Sequence, residues 1–243
     1  DTADRGASDD RTGDGGAAGV VTTRALLFFV HGVAADGELL HLTSQYGEVR
    51  THDLARGSTR PRVAGLERPT GVCVHGAGTL VVAETGAGRV LTVDGDDTVT
   101  VLASGLGEPV DVAVDRWGRC YVSDAKRGAV LRVDDEAVVP VLEGLTAPQG
   151  VTVADDALFV VDAGSAAVHT LCLATGGTGV VAQALPLGRR AGTATPGEPA
   201  LFAHGMPGVP RRFTGLAAGP DGTLYVAGDG TVLRLARPRA SPD

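Results

Sequence analysis

One position recurs at the start of five strand-like segments, and the side chains at this position are the best candidates for ligand binding or catalysis. It is occupied by His31, Thr70, Val110, Gln149 and Thr214, which are almost evenly spaced except for a longer last interval. His31 is the member of this set that titrates near neutral pH, so it is the candidate catalytic residue for proton transfer. His31, Thr70, Gln149 and Thr214 together predict a mildly polar ring that binds a ligand.

The same position argues against a metal site. A hard cation such as calcium needs oxygen ligands, above all carboxylates, and none of the five residues is acidic or Asn. Asp111 follows Val110 by one residue, so strict strand alternation directs it to the other face unless the register shifts. Cys73, Cys120 and Cys172 are widely and irregularly spaced, and the histidines fall at unrelated repeat positions. We therefore predict no metal, whether calcium or zinc.

Three carboxylates have a structural explanation. Glu84, Asp124 and Asp162 each end the second strand of a repeat. A carboxylate at the same turn of several repeats is typical of a cap that accepts hydrogen bonds from backbone N–H groups. We predict that these residues hold turns in place.

The elements that must position these residues are repeated β-strands. The segments 30–53, 69–94, 109–134, 148–173 and 213–236 each read as strand, turn, strand, turn, strand, and a further apolar stretch follows the second and third of them. Four-stranded units of about 40 residues predict the blades of a β-propeller, because a single blade cannot bury both of its faces. The fold class predicted is all-β, a propeller of five or six four-stranded blades.

The two ends of the chain complete this organisation. Residues 1–19 lack apolar periodicity and read as a flexible linker or tail, 20–238 as the propeller, and 239–243 as a tail. The last repeat ends after three strands, so we predict that the apolar segment Val20–Phe29 adds its fourth strand and closes the ring.

The longest interval carries an insertion, 185–212, with paired arginines and a histidine. A structureless insertion of this length in a compact domain is often functional. We predict that Arg190, His204 and Arg212 shape the mouth of the ligand site.

The repeats resemble a known group of propellers. The repeated sequence motif has three parts. They are represented by Pro69-Thr70-Gly71-Val72, by Asp115-Arg116-Trp117-Gly118 with Tyr121-Val122-Ser123-Asp124, and by Arg89-Val90-Leu91-Thr92-Val93-Asp94. It is similar to NHL repeats and to six-bladed senescence-marker-protein/gluconolactonase propellers. That resemblance implies the propeller fold and, in its lactonase branch, an axial calcium ion. It leaves function open between lactonases, streptogramin lyases, strictosidine-synthase-like proteins, amidating lyases and binding domains.

The amino-acid composition limits the classes of partner and the cellular setting that we expect for this chain. The net charge is −8, and the basic residues are scattered, which disfavours a nucleic-acid partner. No apolar run is long enough to span a bilayer. Three cysteines without a disulfide framework favour a reducing, cytoplasmic setting. The chain has no Asn or Ile and a single lysine, Lys126, which indicates a GC-rich bacterial genome.

Two functions remain open on this basis. The first is a metal-independent domain that binds a small molecule or protein segment at its axial funnel, as a module or scaffold within a larger biosynthetic protein with covalent neighbour domains. The alternative is a lactonase-like hydrolase or lyase, in which His31, Gln149 and an arginine of the insertion polarise a carbonyl. The sequence favours the binding domain over an enzyme.

Overall fold

The structure, a computed structural model, describes residues 30–76, 78–134, 137–187, 214–228 and 231–235. These residues form nineteen strands in five sheets. Blade 1 contains β1 (Val30–Asp36), β2 (Leu39–Ser44), β3 (Glu48–Asp53) and β4 (Ser58–Val63). Blade 2 contains β5 (Pro69–His75), β6 (Thr79–Glu84), β7 (Arg89–Val93) and β8 (Val99–Ala103). Blade 3 contains β9 (Pro109–Val114), β10 (Cys120–Asp124), β11 (Ala129–Val133) and β12 (Val138–Leu142).

The last two blades continue the series. Blade 4 contains β13 (Pro148–Ala154), β14 (Ala157–Asp162), β15 (Ala167–Cys172) and β16 (Thr178–Ala182). Blade 5 contains β17 (Leu216–Ala218), β18 (Leu224–Gly228) and β19 (Thr231–Leu235). Strands that are consecutive in the chain pair antiparallel within each blade. The first strands β1, β5, β9, β13 and β17 contact one another in succession, so the sheets radiate from a centre. The predicted β-propeller is confirmed, with five blades among the described residues.

The core lies between blades. Strand β6 shows why, because it is almost wholly buried and its side chains alternate between two neighbours. Leu80 and Val82 pack towards blade 1, whereas Val81 and Ala83 pack with blade 3. Similar apolar clusters join blades 3 and 4 and blades 4 and 5. Each described interface between successive blades therefore contains an apolar cluster to which both blades contribute.

A leucine in the connector between blades fixes their spacing. The backbone N–H of Leu145 donates to the carbonyl of Gly128 at 2.9 Å, and that of Leu106 donates to Gly88 at 2.9 Å. Gly128 has φ of 62°, and an added Cβ would collide with the carbonyl oxygen of Leu145, so this turn requires glycine. Leu145 is buried in the core between blades 3 and 4.

The three carboxylates at the ends of second strands are backbone caps, as predicted. Asp124 accepts hydrogen bonds from the N–H groups of Gly107 at 2.7 Å and Glu108 at 2.9 Å. Asp162 accepts from Thr146 at 3.0 Å and Ala147 at 2.7 Å. Glu84 accepts from the backbone N–H of Glu67 at 2.6 Å. The repeated carboxylate therefore ties each second strand to the connector that precedes its own blade.

Several predictions concern residues outside the described ranges. These are the linker 1–19, the closing strand Val20–Phe29, the insertion beyond Leu187 and the tail 239–243. Within the described part of the chain, no helix has the length and apolar character needed to cross a membrane.

Candidate functional site

A cavity of about 370 Å³ lies at the centre of the propeller, where the first strands begin. We call it the axial cavity. All five blades contribute to its wall, through His31, Thr70, Val110, Asp111, Gly150 and Thr214. The second and third strands of blade 5 add Tyr225, Ala227 and Val232. The lining is mostly apolar, and Asp111 is its one carboxyl group among the described residues.

The wall of the axial cavity is tight because neighbouring first strands converge there. A Cβ added at Gly150 would lie 2.5 Å from the backbone nitrogen of Leu216 in the next blade. A Cβ added at Gly71 would collide with Asp111. This close approach explains why glycine follows the recurring position in blades 1, 2 and 4. Blade 3 departs from the pattern, with Asp111 at the glycine position.

A β-bulge turns Asp111 towards the cavity. Asp111 pairs with Ser123, and Pro109 pairs with Asp124, so Val110 is the extra residue without a partner across the ladder. Both Val110 and Asp111 consequently line the cavity. Strict strand alternation would direct Asp111 to the other face of the blade. The register shift between β9 and β10 breaks this alternation and brings Asp111 to the cavity.

The Asp111 carboxyl group is held in a fixed orientation. Oδ1 accepts a hydrogen bond from the N–H of Val112 at 2.9 Å, and Oδ2 accepts from the N–H of Val151 in blade 4 at 3.0 Å. Burial raises the pKa of Asp111 to about 7, although these two N–H groups act in the opposite direction. Near neutral pH this group therefore exists as both acid and carboxylate, so it can donate or accept a proton.

His31 is another titratable group on the cavity wall. Its Nδ1 lies 2.9 Å from the carbonyl oxygen of Pro69 in blade 2. A carbonyl oxygen only accepts, so the ring donates Nδ1–H and the neutral tautomer carries its lone pair on Nε2. The ring is thereby oriented across the interface between blades 1 and 2.

Other residues of the predicted ring are engaged in joining blades. Thr70 lines the cavity, but its hydroxyl donates to the carbonyl oxygen of Val110 at 2.6 Å and lies 2.6 Å from that of Thr85. Gln149 does not line the cavity, and its Oε1 accepts the backbone N–H of Thr214 at 2.6 Å. Thr214 lines the cavity and is buried. Arg190, His204 and Arg212 lie outside the described residues.

The structure therefore brings His31, Thr70 and Thr214 to one cavity, and it adds Asp111, which was not among the predicted site residues. The sequence signal was the replacement of glycine by Asp in Pro109-Val110-Asp111. Among the described residues, no three His, Cys, Asp or Glu side chains are grouped as a metal site requires.

Comparisons with known proteins support the fold. No family model and no curated protein matches the sequence. Solved structures do match. A gluconolactonase from Xanthomonas campestris superposes with a TM-score of 0.64 at 16% identity, over 87% of this chain and 77% of its own. A streptogramin B lyase gives a TM-score of 0.61 at 13% identity, over 81% of this chain and 61% of the lyase.

A chain of a nidogen/laminin complex gives a TM-score of 0.58 at 21% identity, over 64% of each chain. This protein therefore spans less than two thirds of that chain and of the streptogramin B lyase. The fold is a β-propeller similar to that of the gluconolactonase. The predicted resemblance is confirmed at this level, whereas sequence identities this low leave activity open.

Proposed function

We propose that this chain is a β-propeller domain that binds a small molecule in the axial cavity, with Asp111 and His31 as its polar contacts. The observation that carries the proposal is the Asp111 carboxyl group on a mostly apolar wall, at a position where the other blades have glycine. Small-molecule sites are commonly cavities of roughly 300–1,000 Å³ with apolar walls and a few placed polar groups. The axial cavity has this size and this composition.

The chemistry of the wall favours neutral or basic ligands. Asp111 carries a negative charge whenever it is ionised, and the described wall offers no lysine or arginine to offset it. An anionic ligand would meet this charge at short range and would be repelled by it. An amine or an alcohol would instead donate a hydrogen bond to the carboxylate.

Matched fragments test the proposal. Benzylamine, benzyl alcohol and benzoate share one apolar body and differ in their polar group. Ligand-observed NMR at pH 7.5 should show binding of the first two and little binding of benzoate. Ala227→Trp fills the cavity and should abolish binding, whereas Ala174→Trp, in an exposed turn of blade 4, should not. Equal binding to both tryptophan variants would contradict the axial site.

We also propose that binding needs no metal, because the donors on the described wall include one carboxyl group and one imidazole. Calcium prefers six to eight oxygen ligands and commonly takes several from carboxylates. Thermal unfolding should therefore be the same in EDTA and in millimolar calcium. A calcium-dependent rise of many degrees would overturn this part of the proposal, because a ligand that binds the native state stabilises it.

Acid–base catalysis, as a lactonase-like hydrolase or lyase, is a second candidate function. It is favoured by the pKa of Asp111, raised by burial to about 7, and by the presence of His31 on the same wall. Turnover of gluconolactone and of quinupristin would be followed for the wild type, for Asp111→Asn and for His31→Ala. Turnover that either substitution removes would support catalysis. Binding of the fragments without turnover of either substrate would support the binding function and contradict catalysis.

A further inference from the structure

A second cavity, of about 480 Å³, lies between blades 1 and 2 at the opposite rim of the propeller. We call it the rim pocket. Strands β2, β3 and β4 form one side, and the turns at Gly78 and Gly95 in blade 2 form the other. Gly78 follows the end of β5, whereas the axial cavity lies at the start of that strand. The two cavities are therefore distinct.

A buried histidine lines the rim pocket with an unused nitrogen. His41 is 1% exposed, and its Nδ1 lies 2.9 Å from the hydroxyl oxygen of Thr51. Its Nε2 is buried and has no hydrogen-bond partner in the described structure. When the Thr51 hydroxyl donates to Nδ1, the neutral ring carries its proton on Nε2. Buried polar groups are almost always paired, so a solitary N–H on a cavity wall indicates a missing acceptor.

Arginines surround this donor. Arg60 and Arg62 are two residues apart on β4, so they share one face, and both line the pocket. Arg60 donates to Asp97 at 2.7 Å, and the almost fully buried Arg62 donates to the same carboxylate and to the carbonyl of Asp94. Arg56 pairs with Asp53 at 2.7 Å. Among the residues that line the pocket, three are arginines and one, Asp53, is a carboxylate, while Asp97 offsets part of the positive charge from beside the lining.

The electrostatics of His41 agree with this arrangement. Burial first, and then the charge of Arg62, lower the pKa of His41, while Asp36 opposes them. The ring is therefore neutral near pH 7. In the tautomer that carries its proton on Nε2, the ring is a hydrogen-bond donor beside the arginines and adds no further cation.

The fold does not require these side chains. His41 lies three residues before the end of β2, and Val81 holds the same place in β6. Arg62 lies one residue before the end of β4, and Leu102 holds that place in β8. Val81 and Leu102 pack in the apolar cluster between blades 2 and 3. The first interface has therefore exchanged apolar core for hydrogen-bond donors.

We propose that the rim pocket binds the phosphate group of a small molecule, with Arg60, Arg62 and His41 Nε2 as donors. A tetrahedral dianion accepts hydrogen bonds from several directions, and guanidinium groups bind it in bidentate fashion. It also supplies the acceptor that His41 lacks. A phosphate group would fill only part of the cavity, which leaves room for the body of the molecule beside Leu39, Thr51 and Ser58.

Isothermal titration at pH 7.5 and low ionic strength tests this proposal. The probes are phenyl phosphate, inorganic sulfate and acetate. The expected result is saturable binding of phenyl phosphate and sulfate, with acetate at least tenfold weaker. Equal heats for all three, or no saturation with phenyl phosphate, would overturn the proposal. Binding of sulfate without phenyl phosphate would also overturn it, because the pocket would then accept only a free ion.

Matched variants locate the site. Arg60→Gln removes a side chain that is 54% exposed, so folding should be preserved, and phenyl phosphate should bind at least tenfold more weakly. Arg132→Gln removes a comparable guanidinium, paired with Asp134 in blade 3, and should leave affinity unchanged. Equal effects of the two variants would show that net charge alone attracts the anion. His41→Val, in a protein that is shown to be folded, should also weaken binding of phenyl phosphate. This result would distinguish binding inside the pocket from attraction by the arginines as a surface charge.

Discussion

The interface between blades 1 and 2 differs from the interface between blades 2 and 3, although strand pairing is the same on both sides. Between blades 2 and 3, Val81, Leu102 and Leu131 belong to one apolar cluster. Between blades 1 and 2, the apolar cluster includes Val49 and Leu80, and the outer part is a cavity lined by arginines and His41. A repeat fold can therefore convert part of one interface into a candidate binding site, because the other interfaces supply the stability of the ring.

The largest effect is expected from breaking the apolar interface. Leu131→Ala should lower the free energy of unfolding by about 2–5 kcal/mol, because Leu131 is buried in the cluster between blades 2 and 3. Leu39→Ala, at the half-buried wall of the rim pocket, should cost less than about 1.5 kcal/mol, because little apolar contact is lost. Denaturant unfolding measures both. Equal losses of unfolding free energy in the two variants would contradict the difference in apolar packing between the two interfaces.

The residues that cap the second strands should also contribute less to stability in blade 1 than in blade 3, and the difference should be smaller than for the apolar residues. Asp124→Ala leaves the N–H groups of Gly107 and Glu108 without their acceptor and should cost about 1–3 kcal/mol. In blade 1 the equivalent residue is Ser44, whose hydroxyl accepts one N–H, from Tyr46 at 3.3 Å. Ser44→Ala should therefore cost less than about 1 kcal/mol. The two variants can be compared by thermal unfolding, and a larger loss for Ser44→Ala would contradict the cap assignment.

Copying the second interface into the first provides a direct test. The double variant His41→Val with Arg62→Leu replaces an imidazole whose Nε2 has no hydrogen-bond partner and a buried cation with the apolar types found in blade 2. Asp97 is partly exposed and keeps its hydrogen bond from Arg60, so it is not left as an unpaired buried charge. Stability should be unchanged or higher by up to about 2 kcal/mol, because buried ionic groups are often replaceable by apolar residues. Binding of phenyl phosphate should be lost at the same time. A clear fall in the free energy of unfolding would mean that the polar side chains serve the fold.

A pH dependence is expected in the axial cavity, where blade 3 differs from its neighbours. The folded pKa of Asp111, about 7, lies above its ordinary value, so between pH 4 and pH 7 the native state binds the proton and the unfolded state has lost it. Stability should therefore fall as pH rises through this window, relative to Asp111→Asn. Unfolding of both proteins across pH 4–8 measures the difference. A difference that does not change with pH would show that Asp111 titrates normally.

The sequence was sufficient to predict the blades and the caps, because both depend on signals that recur from one repeat to the next. It was less informative about the axial wall. Gln149 occupies the recurring position, yet its side chain holds the backbone of Thr214, and this choice of partner depends on how two blades meet. Asp111 reaches the cavity through a bulge, which depends on the pairing of β9 with β10.

The rim pocket was not predicted at all. No fourth strand was identified from the sequence after the first repeat, so Arg60 and Arg62 were not considered, and His41 was assigned no role. Their convergence depends on the packing of β4 against the turns of blade 2, which are far away in the chain and carry no local signal. Comparing each blade with the next, residue by residue, reveals that His41 and Arg62 stand in the places of Val81 and Leu102.

The collision that a side chain at Gly71 would have with Asp111 makes blades 2 and 3 a matched pair. Only a blade with glycine at that place can precede the blade that carries the aspartate. Modules of this protein are consequently not interchangeable in engineered or recombined rings. Any transplant of blade 3 must bring a compatible predecessor with it.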